Sequence, residues 1–84
     1  MNWRNSEDIH GAIVFDDCDS AVIGYGSQHG FESVLIYDYN LLIINCIEQG
    51  MTEEEAMEYV DYNIVGLWAG DRTPIIMFRF LEES

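Results

Sequence analysis

The sequence predicts an α+β fold in which a small antiparallel sheet of three to four strands carries two helices on one face. Three observations support this. Short β-branched apolar runs alternate with Gly- and Asp-rich turns over residues 12–37, two segments with helix start signals fill residues 38–65, and Pro74 precedes a final apolar run.

Residues 1–11 are polar and irregular apart from Trp3 and Ile9, and are expected to form an extended arm on a single domain spanning 1–84. Ala12-Ile13-Val14-Phe15 is the first apolar run, closed by the acidic turn Asp16-Asp17-Cys18-Asp19-Ser20. Its pattern fits a strand and equally a loop that enters the core. Ala21 to Tyr25 and Ser33 to Tyr37 are the second and third runs, separated by turn residues that include Gly26 and Gly30. Together they read as an antiparallel meander.

Asp38 stands where a helix N-cap is needed, and Gly50, about twelve residues on, suits the left-handed C-terminal turn. That length favours a buried helix over a strand for the intervening Leu41-Leu42-Ile43-Ile44 segment. A second helix is expected over 51–65. Thr52 and Glu55 have the spacing of a capping box, Glu53, Glu54 and Glu55 complement the helix dipole, and Ala56, Val60 and Ile64 recur on one face. Pro74 prevents further helix and introduces Ile75 to Phe80 as the last strand, beside the earlier sheet.

Charge restricts function more than any motif does. Sixteen acidic residues face three arginines and no lysine, a formal net charge of −13 over 84 residues. Solubility of a small domain needs only about 2 to 8 charges of excess. Disordered acidic tails lack apolar and aromatic residues, but this chain is 49% apolar and 13% aromatic, so it should fold. Direct nucleic-acid binding and attachment to anionic membranes both depend on basic side chains, so neither is expected. The opening Met1-Asn2-Trp3-Arg4 does not resemble a secretory signal and no apolar run approaches the ~18 residues of a membrane span, so the expected location is the cytoplasm of a host cell.

Catalytic and metal chemistry find little support. Cys18, His10 and His29 supply the letters of a nucleophilic triad without any local signature around them. Gly24, Gly26 and Gly30 lack the basic residue of a phosphate loop. The Asp16 to Asp19 turn lacks the mid-loop Gly and terminal Glu of a calcium loop, and the histidines are not paired at zinc-ligand spacing. The expectation is no enzyme, no metal and no cofactor. Cys18 and Cys46 read as reduced, small buried hydrophobes.

Residues 37–76, YDYNLLIINCIEQGMTEEEAMEYVDYNIVGLWAGDRTPII, resemble small uncharacterised proteins of bacteriophages and mobile elements. GMTEEEA, an aromatic-rich EYxxYNxxGxWxG and a closing TPI recur in them. The resemblance covers about half of the chain. It implies a phage or prophage origin and favours an inhibitor directed at the host, without implying any chemistry.

Glu54, Glu58 and Asp61 have helical i, i+3 and i+4 offsets, which place carboxylates ~6 Å apart, similar to successive phosphates of a nucleic-acid strand. Glu55 lies beside Glu58, Tyr62 flanks the stripe with a polar aromatic tip, and Asp16, Asp17 and Asp19 form a second cluster. For the helix alone, a solvated face with a favourable N-terminal charge pattern is the simpler explanation, since Glu53, Glu54 and Glu55 satisfy it without any partner. With the phage resemblance and the absence of lysine, these residues are expected to contact a basic, nucleic-acid-binding host protein such as a CRISPR effector or a restriction enzyme. The alternative is an accessory phage protein, homodimeric through Trp68, Tyr62 or the last strand, that uses acidity only for dispersal.

Overall fold

The computed structural model describes residues 7–80, built around three strands and two helices. The strands are Val22–Gly26 (β1), Val34–Asp38 (β2) and Ile75–Met77 (β3), and the helices are Tyr39–Glu48 (α1) and Glu53–Val60 (α2). The sheet order is β1-β2-β3, with β1 antiparallel and β3 parallel to β2. Both helices pack against this sheet, so the α+β expectation holds, with a mixed sheet where a purely antiparallel one was expected.

The path of the chain explains the parallel strand. The hydroxyl of Tyr39, in the first turn of α1, bonds Asp61 just beyond α2, so the two helices run antiparallel and return the chain to the end of β2 where α1 began. An antiparallel strand could start there. Instead residues 66–74 carry the chain to the opposite end of β2, where the Arg72 Nε donates to the Ser33 carbonyl at 3.1 Å. β3 then runs alongside β2 in the same direction, pairing Ile36 with Ile75 and Asp38 with Met77.

Side chains alternate across a strand and paired residues share a face, so Leu35, Tyr37 and Ile76 point one way and Val34, Ile36, Ile75 and Met77 the other. The first set belongs to the core, with Leu42, Ile43 and Cys46 of α1 and Ala56 and Val60 of α2. Leu35, Tyr37, Leu42 and Val60 are at most 1% exposed. Each such burial contributes about 1.5–3 kcal/mol.

Residues 12–15 take the loop alternative. They are irregular, yet Ala12, Val14 and Phe15 pack on the core, and the Phe15 amide donates to the Tyr37 hydroxyl at 2.9 Å. Consequently the sheet begins at β1. Of the expected N-terminal arm, residues 1–6 lie outside the described residues, while Glu7–Ile9 forms one 3-10 turn that buries Ile9 in the core. Trp68 is 73% and Tyr59 44% exposed, so neither belongs to the core. No helix among the described residues is long and apolar enough to cross a membrane.

Candidate functional site

The acidic face of α2 is held by the capping box that its sequence encodes. The Thr52 amide donates to Glu55 Oε1 at 2.9 Å, and the Glu55 amide donates to Thr52 Oγ1 at 3.2 Å. Both bonds satisfy donors that the first turn of a helix otherwise leaves without partners. Glu55 therefore has a structural duty, although it remains exposed. Glu53, Glu54 and Glu55 also place negative charge at the positive end of the helix dipole.

Ala56 and Val60 are fully buried and Ile64 is 6% exposed, whereas Glu54, Glu58 and Asp61 are all exposed. The apolar stripe thus fixes the rotation of α2 and directs the carboxylates at 54, 58 and 61 to solvent. Beyond Val60 the helix widens into a π turn, Asp61–Val65, where the Gly66 amide reaches the Asp61 carbonyl at 3.3 Å. Within this turn Ile64 faces the core and Tyr62 is 85% exposed.

Asp61 differs from Glu54 and Glu58 because it has an internal partner. Tyr39 Oη donates to its Oδ1 at 2.9 Å, and the Tyr39 ring stacks on Phe78 with centroids 4.7 Å apart. Burial, then the neighbouring Asp61 carboxylate, pushes the Tyr39 phenol up, so it stays a donor at neutral pH. Tyr62 accordingly projects beside an anchored carboxylate.

The second acidic cluster lies elsewhere. Asp17 adopts φ +60° in the left-handed region, which Asp tolerates better than most residues. Its carbonyl accepts from Asn45 Nδ2 at 2.5 Å and Gln49 Nε2 at 3.3 Å. These bonds pin the turn containing Asp16, Asp17 and Asp19 to the C-terminal half of α1, and all three residues are exposed. Asp61 meets the other end of the same helix, six residues from Asn45, a separation of about 9 Å along the axis. The two predicted clusters are therefore mounted on one helical hairpin without merging into a single patch.

Both described arginines are engaged internally, Arg72 with Glu32 and Arg79 with Asp38, each at 2.6 Å. The acidic surface thus gains no compensating free arginine from the described residues. Sequence reasoning identified Asp38 as a cap and missed its ionic role, which depends on a residue near the far end of the chain. Among the described residues no group of three or more His, Cys, Asp or Glu side chains is arranged to hold a metal ion. No protein-family model, curated protein or solved structure matches the chain.

Proposed function

We propose that this chain is a small phage-encoded inhibitor of a host defence protein, of anti-CRISPR or anti-restriction type, that presents the outer face of α2 to a basic nucleic-acid-binding surface. The observation that carries this reading is the division of α2 into a buried Ala56, Val60, Ile64 stripe and an exposed Glu54, Glu58, Asp61 face. The engagement of Arg72 with Glu32 and of Arg79 with Asp38 supports it, because each described arginine is paired with a carboxylate outside that face. Carboxylates would exchange with nucleic-acid phosphates on the partner's Arg and Lys side chains. Association would be fast and weakened by salt, since it depends on a field that counterions screen.

The test is capture from a host lysate at low and then high salt, followed by titration of the captured protein with wild type and with Glu54→Lys/Glu58→Lys. A basic nucleic-acid-binding protein, released by salt and not bound by the double reversal, supports the proposal. Undiminished binding with an intact circular dichroism spectrum would reduce this face to a solvated surface.

A second reading is favoured by the exposed aromatic residues. Trp68 is 73%, Tyr62 85% and Phe80 98% exposed, and aromatic rings of this kind supply contact area at protein interfaces. An accessory protein that self-associates through them would sediment as a concentration-dependent oligomer and ignore defence proteins.

A further inference from the structure

On the side of the sheet turned away from the helical core, an open cleft of about 240 Å³ is lined by Phe31, Trp68, Val34, Ile75, Glu32 and Asp71. Val34 and Ile75 belong to the outward set of strand side chains, and β1 contributes Gly26, which has no side chain, to the cleft lining. Phe31 is 54% and Trp68 73% exposed, leaving much of each ring open. Aromatic rings beside carboxylates over an apolar floor form an environment that attracts a weakly hydrated cation.

The cleft wall is built in advance. Arg72 holds the loop bearing Trp68 and Asp71 through Ser33, Glu32 and the His10 carbonyl. Thr73 closes the turn, accepting from the Ala69 amide and donating to the Gly70 carbonyl, both at 2.7 Å. Glu32 already binds one guanidinium, so Asp71 is the main anion available to an incoming one. A second copy would bring identical carboxylates to the same cleft, and like charges brought together oppose association.

We propose that this cleft binds the guanidinium group of an arginine on a basic protein partner, stacked against Trp68 or Phe31 and paired with Asp71. The inference rests on the basic-partner reading and adds to it a second contact, remote from α2. Arginine fits better than lysine because its planar group stacks on aromatic faces while donating in its own plane.

The test titrates the full ¹⁵N-labelled chain with hexa-arginine and, as the neutral isostere, hexacitrulline, following the Trp68 indole N–H and the Ile75 and Gly26 amides. Trp3→Phe distinguishes the two indoles. Hexa-arginine should shift all three signals and hexacitrulline none, and Asp71→Asn or Trp68→Ala should weaken binding by about fivefold. Glu54→Lys/Glu58→Lys should leave the pattern of cleft shifts in place. Shifts confined to α2 would overturn the cleft and leave the acidic-face reading standing, and shifts at neither face would overturn both. Equal shifts with hexacitrulline, unchanged affinity in Asp71→Asn, or cleft shifts that depend on protein concentration without peptide would each overturn the cation assignment.

Discussion

Asp38 and Arg79 meet at 2.6 Å across 41 positions of sequence, and one buried carboxylate serves two purposes. Its Oδ1 accepts the Leu41 amide and caps α1, while its Oδ2 accepts from Arg79 Nε just beyond β3. The side chain of Asp38 is 2% exposed and that of Arg79 53%, so the cation keeps much of its hydration while the anion loses nearly all. The same segment places Phe78 on Tyr39, and Tyr39 binds Asp61. The end of the sheet, the start of α1 and the end of α2 are thereby joined at one point.

That arrangement makes stability depend on acid. Burial alone would raise the Asp38 pKa, but the Arg79 hydrogen bond and the Leu41 amide outweigh it, and the net direction is downward. A carboxylate lowered in the fold contributes stability above its unfolded pKa of about 3.9 and loses it as pH falls through the folded value. Asp38→Asn retains a capping oxygen and removes the charge. Urea unfolding from pH 6 to pH 2.5 should show a gap between wild type and Asp38→Asn that closes as the pH falls below about 4. Asp38→Ala should cost about 1 kcal/mol more than Asp38→Asn, because the cap is lost as well.

Val60 tests the orientation of α2. It is fully buried in a stripe with Ala56 and Ile64, and Val60→Asp would place a charge there without a partner. The expected loss is about 3 kcal/mol or more, read as a lower urea midpoint at unchanged slope. An unaltered midpoint would show that this stripe does not face the core.

The three acids of the α2 face should separate under mutation. Glu54→Lys/Glu58→Lys should abolish partner binding while the fold is kept, at a cost of about 1 kcal/mol because Glu54 complements the α2 dipole. Asp61→Lys should also lower stability, because it removes the acceptor of the Tyr39 hydroxyl. Asp61→Asn keeps that acceptor, so a binding loss without destabilisation in this variant would be electrostatic. Stopped-flow association across a salt series would register the single Glu changes mainly in the on-rate.

The thiols should be inert in the fold. Burial raises the pKa of both Cys18 and Cys46, and the neighbouring Cys46 raises that of Cys18 further. Stability from these groups is fully present below their unfolded pKa of about 8.5 and is lost as pH rises through the folded values. A thiol reagent at pH 8 should label the native chain slowly and the urea-unfolded chain at once, and Cys18→Ser should leave partner binding intact. Rapid native labelling would contradict the burial.

How much was legible follows from the range of each interaction. The caps at Asp38 and Thr52 reach three residues, and the Ala56, Val60, Ile64 stripe recurs every four, so both could be read directly from the chain. The outward direction of Glu54 and Glu58 followed from that stripe. Residues 12–15 were ambiguous because a β-branched run suits a strand and a core-entering loop alike, and the Phe15 contact with Tyr37, 22 positions away, goes with the loop. The exposure of Trp68 was not legible in the sequence, because a lone aromatic near two glycines carries no period.

Sequence by itself determined the α+β class, the excess of 13 negative charges and the face of α2 that meets solvent, since composition and short-range periodicity suffice for all three. Tertiary structure decided that β3 runs parallel to β2, that Asp61 is tied to Tyr39 while Glu54 and Glu58 lie on the open face of α2, and that Phe31, Trp68 and Asp71 surround one cleft. The tie to Tyr39 depends on the α1–α2 hairpin. The strand direction and the cleft depend on where residues 66–74 return the chain, which Arg72 sets by bridging 39 positions to Ser33. No local pattern encodes a contact of that span, because its geometry exists only after both segments have packed against the same sheet.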